Sequence, residues 1–132
     1  TRFVITIDDA INLVFKSFKF AVGGEIIIPK IPSIKITDLA KAIDETKKIK
    51  IVGIRPGEKL HEILCPVDDS RLTLEFKNHF IIIPSINFQN IKKKFMKNSL
   101  GEKGKFVKPN FTYDSGTNPK FLNIKGIRNL LK

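Results

Sequence analysis

The chain alternates between short β-branched runs and stretches of helical period, with proline or glycine at many of the junctions. "RFVITI" (2–7), "EIIIP" (25–29), "IKIVGIR" (49–55) and "HFIIIPS" (79–85) have the length and composition of strands. The unbroken apolar run of "EIIIP" predicts a strand covered on both faces. Between them, Thr6 and Asp9 form a capping-box pair ahead of Ile11, Val14, Phe15 and Phe18 at helical spacing. That helix should stop near Gly23 and Gly24. "KIPSIKI" reads as an extended connector, kept out of helix by its prolines. "TDLAKAIDETKK" begins on a threonine cap, Thr37, and sets Leu39, Ala40 and Ile43 on one face. "GEKLHEILC" reads as a short amphipathic helix with Leu60, Ile63 and Leu64 inward. "DDSRLTLEF" (68–76) adds a helical turn or two. "LNIKGIRNLLK" is a closing helix with Asn123 as cap and Ile124, Ile127, Leu130 and Leu131 as its face. The alternation predicts an α/β protein with a small mixed sheet. So short a sheet has little to pack on its second face, which suggests one lobe of a larger enzyme. Residues 87–110 are polar and lysine-rich, an excursion with a marginal helix around 89–97.

Bulk properties narrow the function. A chain of 132 residues is long enough for one domain with a core. No apolar run approaches the roughly 18 residues of a membrane span, and no secretory leader opens the chain. The start at Thr1, inside a hydrophobic pattern, suggests a piece of something longer. One cysteine, Cys65, cannot form an internal disulfide and fits a reducing cytosol. No Cys/His spacing suits a metal. The net charge of +11 favours anionic partners, although the lysines are mostly scattered.

The stretch "IVGIRPGEKLHEIL" (51–64) carries the best candidate site. A strand running through a tight turn into a helix start is an anion-binding arrangement, because free backbone N–H groups and the helix dipole favour negative charge. Pro56 fixes its own φ and pushes Arg55 into an extended conformation; Gly57 permits positive φ and close approach of a ligand. Glu58 would sit in the first helical turn and brace the arginine. A planar guanidinium then suits a diphosphate. Arg2 has a related setting before a strand and a capped helix. Tyr113, Ser115 and Asn118 stand in a tight polar loop, "YDSGTN". No glycine-rich dinucleotide fingerprint, no Tyr-x-x-x-Lys pair, no P-loop and no G-x-S-x-G occur, so the chain shows no catalytic machine of its own.

"TRFVITIDDAINLV", "GGEIIIPKIPSIKITDLAKAI", "IVGIRPGEKLHEIL", "DDSRLTLEF" and "FTYDSGTNPKFL" occur in one order. Together they resemble the C-terminal part of the inverting UDP-N-acetylglucosamine 4,6-dehydratases. These are extended short-chain dehydrogenases/reductases within the polysaccharide-biosynthesis proteins. "PKIPS" followed by "IRPGEKLHE" resembles the soluble members that begin pseudaminic acid synthesis. The resemblance implies a cytoplasmic lyase whose missing N-terminal Rossmann domain binds NADP and carries the catalytic residues. This chain, residues 1–132, would be its C-terminal nucleotide-sugar-binding lobe, with no catalytic, cofactor or metal residue and inactive alone. The implied partners are the UDP-sugar, the Rossmann domain and, for the full enzyme, further copies in a homo-oligomer. Arg55 and Arg2 match arginines that commonly contact the nucleotide diphosphate in the superfamily, and Asn118 lies in a loop near the substrate. Val4 and Cys65 depart from the family pattern without touching these positions.

Two other readings stay open on the residues alone. One is a stand-alone basic module for nucleic acid or an acidic partner, resting on the net charge. The other is a remnant that folds poorly because its apolar faces have lost their partner domain.

Overall fold

The computed structural model describes residues 1–85 and 93–131. In chain order these form β1 (Arg2–Phe3), α1 (Ile7–Phe20), β2 (Ile26–Pro29), β3 (Ser33–Ile34), α2 (Ile36–Ile43) and β4 (Ile63–Cys65). A 3-10 helix (Val67–Leu72), β5 (Thr73–Glu75), β6 (His79–Ile82), β7 (Lys105–Phe106), β8 (Tyr113–Asp114) and α3 (Ile124–Leu130) follow. The mixed α/β class expected from the alternation is the one adopted. The elements divide into two compact units, Thr1–Thr6 with Ile31–Ile63 and Tyr113–Lys132, and Ile7–Lys30 with Leu64–Thr112.

The first unit is built around β3. Arg2 and Phe3 of β1 pair antiparallel with Ile34 and Ser33. Ser33 is fully buried, and its backbone also bonds Lys120 O at 2.7 Å and Leu122 N at 2.9 Å. Ile34, Ala42 of α2 and Ile127 of α3 form the core, with Val4, Leu39, Leu122 and Ile124 against it. α3 starts where expected: the Asn123 side chain accepts from Gly126 N–H at 2.9 Å, a local cap that needs no distant partner. α2 starts two residues earlier than the Thr37 cap predicts. Lys35 occupies the cap position without a side-chain bond, and Thr37 lies inside the first turn.

The second unit is an antiparallel sheet in the order β2-β6-β5-β7. Its core is Leu74, Phe76, Ile81, Ile83 and Phe95, joined by Val22, Ile27 and Leu72. "DDSRLTLEF" splits into the 3-10 turn and β5. The lysine-rich 87–110 excursion contributes β7 at the sheet edge; the helix expected at 89–97 falls in part on residues outside those described. The double cover expected for "EIIIP" is not found: Ile28 is buried but Ile26 is exposed. α1 forms, yet the stripe of Ile11, Val14, Phe15 and Phe18 faces outward among the described residues, with Phe18 80% exposed. Cys65 is a buried structural thiol, 3.3 Å from Thr73 Oγ1, and burial pushes its pKa up.

His79 closes one end of this core. Its ring stacks between Phe20 at 4.5 Å and Phe76 at 4.8 Å, and its Nε2 is buried without a partner among the described residues. Burial holds its pKa below the ordinary histidine value, with Lys30 adding to the effect and Glu102 opposing it. The native unit therefore resists a proton that the unfolded chain takes up near pH 6.5. Stability is full above that pH and falls as pH drops through it. His79→Phe keeps the stack and removes the proton site. Chemical denaturation at pH 7.5 and 5.5 should show a loss in the wild type that is much smaller in His79→Phe.

Candidate functional site

The segment 49–64 is neither the strand nor the helix that its composition predicts. Ile51, Val52 and Ile54 stand exposed with no ladder among the described residues. Two glycines explain it, since Gly53 has φ 85° and Gly57 has φ 84°, and each breaks a regular element. "GEKLHEILC" then becomes extended and enters β4 instead of a helix. Among the described residues no helix begins directly after Arg55, so no helix dipole favours an anion there.

What replaces it is a stapled turn. Arg55, Pro56, Gly57 and Glu58 form a four-residue turn closed by Glu58 N–H donating to Arg55 O at 3.1 Å. Proline at the second position and a positive-φ glycine at the third are the residues a type II turn requires. Glu58 Oε2 accepts from Arg55 N–H at 3.0 Å, and Glu58 Oε1 lies 4.0 Å from Arg55 Nε. Glu58 thus braces the arginine as expected, from the turn and not from a helix. The Arg55 side chain is 81% exposed, so its fork is free to meet an anion.

Arg2 is held far more tightly. Its Nε lies 3.2 Å from Glu62 Oε1, and its Nη1 donates to Thr1 O at 2.7 Å and to Leu60 O at 3.4 Å. Nη2 has no partner among the described residues. Glu62 is held in turn by Ser115: Glu62 N–H donates to Ser115 Oγ at 2.9 Å, and Ser115 N–H donates to Glu62 O at 2.8 Å. Ser115 Oγ also lies 2.7 Å from Thr1 Oγ1, which bonds His61 Nδ1 at 2.7 Å. The His61 ring lies flat over Gly116, where an added Cβ would come within 2.7 Å of Nδ1.

Asn118 sits elsewhere. It is buried, and its Nδ2 donates to Ile31 O at 2.9 Å, Ser33 Oγ at 2.8 Å and Lys120 O at 3.3 Å, while Oδ1 accepts from Lys120 N–H at 3.2 Å. Every polar atom of the side chain is spent on the chain. Tyr113 is likewise buried, donating to Ile31 O at 2.9 Å and accepting from Ile31 N–H at 3.1 Å. Asp114 ties the loop by accepting from Gly116 N–H and Thr117 N–H. Burial alone would raise its pKa, but the Thr117 and Gly116 hydrogen bonds and nearby His61 together hold it below the ordinary carboxylate value.

The structure thus joins Arg55 to Glu58, and Arg2 to Glu62 and Ser115, all within the first unit. It places Asn118 apart, in the scaffold. Sequence reasoning missed Glu62 as the partner of Arg2, because the two are sixty positions apart and Glu62 was placed on a helix. The described residues hold no group of acidic, histidine or cysteine side chains arranged for a metal.

These features define an α/β protein with two arginines, one free and one fixed, presented by turns and extended segments of one unit. The chain belongs to the family described as "Polysaccharide biosynthesis protein", whose model matches residues 1–84. It is 49% identical over 131 residues to the UDP-N-acetylglucosamine 4,6-dehydratase (inverting) of Campylobacter jejuni serotype O:2, across 99% of this chain and 39% of that protein. Identity to the enzyme of the same name from Campylobacter jejuni serotype O:23/36 is 47%, with the same coverage. Among solved structures, Pen from Bacillus thuringiensis matches with a TM-score of 0.74 at 30% identity, over 98% of this chain and 37% of that one. This chain therefore spans well under half the length of these relatives. No helix among the described residues is long and apolar enough to cross a membrane.

Proposed function

We propose that this chain is the nucleotide-sugar-binding part of a 4,6-dehydratase acting on UDP-N-acetylglucosamine, serving surface polysaccharide and pseudaminic acid synthesis in the cytoplasm. The observation that carries it is the Arg55 turn, within a chain 49% identical to an enzyme of that name. A guanidinium that is exposed, braced by Glu58 and reached past a side-chain-free Gly57 is suited to a diphosphate. Arg2 offers Nη2 to the same class of anion. Arg55, Arg2 and Glu58 are the residues we assign to the substrate, Glu58 as a brace. Asn118 supports their unit from within.

Such an enzyme needs a redox cofactor, NADP in this reading, to take a hydride from the sugar and return it. The described residues do not fit a dinucleotide: no positive-φ glycine stands at the start of a helix. The proposal therefore gives NADP and the catalytic groups to an N-terminal Rossmann domain, and a homo-oligomer to the whole enzyme. The outward apolar stripe of α1 supports a neighbouring domain.

Calorimetric titration of the chain with UDP and with uridine tests the assignment. UDP should bind and uridine, which lacks the diphosphate, should bind at least roughly tenfold more weakly, the value of a charged hydrogen bond or more. Equal affinity for the two, or none for either, would reject it.

A further inference from the structure

We propose that Glu62 is a positioning residue for Arg2, and that Ser115 holds Glu62 in place for that task. The inference rests on the reading that Arg2 meets a diphosphate; what it adds is how the arginine is made ready.

Arginine has five N–H donors on a plane, and a free arginine side chain loses much rotamer freedom when it binds. Arg2 has lost that freedom before any ligand arrives. Nε is ion-paired with Glu62 Oε1 at 3.2 Å, and Nη1 donates to Thr1 O and Leu60 O. These three contacts hold the plane, and Nη2 has no partner among the described residues. A carboxylate next to an anion site is a cost in charge, so its presence asks for a reason. Fixing the guanidinium plane supplies one.

Glu62 can do this only if its own backbone is fixed. Ser115 is fully buried and grips Glu62 from both sides, with Oγ accepting its N–H and the Ser115 N–H donating to its carbonyl. The Tyr113–Asn118 loop then acts on the site through Glu62, without touching a ligand. The geometry contrasts with Arg55, whose brace is local and whose side chain stays free. One arginine is held rigid and the other is left to close on the ligand.

The test uses the full 132-residue chain, UDP as probe, and nitrogen-15 NMR of the Arg2 side chain. In the wild type without UDP, the Arg2 guanidinium should give a distinct, slowly rotating signal. Glu62→Ala should abolish that signal and weaken UDP binding roughly two- to tenfold, the cost of immobilising one long side chain on binding. Glu62→Gln keeps an oxygen acceptor and should keep the signal, with UDP affinity at or above that of the wild type. Ser115→Ala should broaden the Arg2 signal. If Arg2→Ala leaves UDP affinity unchanged, the diphosphate reading of Arg2 fails. If Arg2→Ala weakens binding but Glu62→Ala binds as tightly as the wild type or more tightly, Arg2 is a ligand contact and the positioning role is overturned. A Glu62→Ala protein with an unchanged Arg2 signal would also overturn it.

Discussion

Asn118→Ala is expected to lower the stability of the chain by about 3 kcal/mol, a large share of the roughly 5–15 kcal/mol that holds a domain of this kind together. The side chain is buried and bonds Ile31 O, Ser33 Oγ and both backbone groups of Lys120. Alanine removes all of these partners at once. Ser33 is fully buried and cannot turn to water. Ile31 O keeps Tyr113 and Lys120 O keeps the Ser33 N–H, so the loss falls on buried Ser33 Oγ and on Lys120 N–H, at about 1–3 kcal/mol for each buried group left unmade. Asn118→Asp should be no better, because it sets a carboxylate oxygen against the Ile31 and Lys120 carbonyls. Denaturant unfolding followed by circular dichroism measures the loss. If Asn118→Ala instead unfolded like the wild type while losing affinity for UDP, the side chain would be a ligand contact and its scaffold role would be wrong.

Arg55→Ala should do the opposite, sparing the fold and damaging binding. The side chain is 81% exposed and its ion pair with Glu58 is long, so its removal should change stability by no more than about 0.5 kcal/mol. Loss of a charge-assisted hydrogen bond to a phosphate should cost roughly 1.5–3 kcal/mol of UDP affinity, or about twelve- to 150-fold. Arg55→Lys should recover part of it, because lysine keeps the charge and loses the planar fork. Calorimetry of the three proteins decides. Unchanged affinity in Arg55→Ala would show that Arg55 only completes the turn.

These two residues illustrate what a sequence discloses and what it withholds. The Arg55 turn was legible because its determinants are adjacent: proline sets φ, Gly57 accepts φ 84°, and Glu58 reaches back three residues. The α3 cap was legible for the same reason, since Asn123 bonds Gly126. β6 was legible as an apolar run cut by a proline. The segment after the turn was misread because Leu60, Ile63 and Leu64 have helical spacing, whereas the chain extends there and Ser115 bonds the Glu62 backbone. A contact made fifty-three positions away cannot be seen in a local period. The Arg2–Glu62 pair and the Asn118 hub are hidden by the same distance. The α1 stripe is a different case. Its period was read correctly, but its outward face shows that period alone does not say what a helix packs against.

If the proposed function holds, this chain can serve as the nucleotide-sugar lobe of a UDP-N-acetylglucosamine 4,6-dehydratase. The most direct measurement replaces the matching segment of the Campylobacter jejuni serotype O:2 enzyme, 49% identical, with this chain and follows conversion of UDP-N-acetylglucosamine to the 4-keto-6-deoxy sugar. The chimera should fold and turn over, and should lose turnover at low substrate when Arg55 becomes alanine. A folded chimera that binds NADP but neither binds nor converts the UDP-sugar would contradict it.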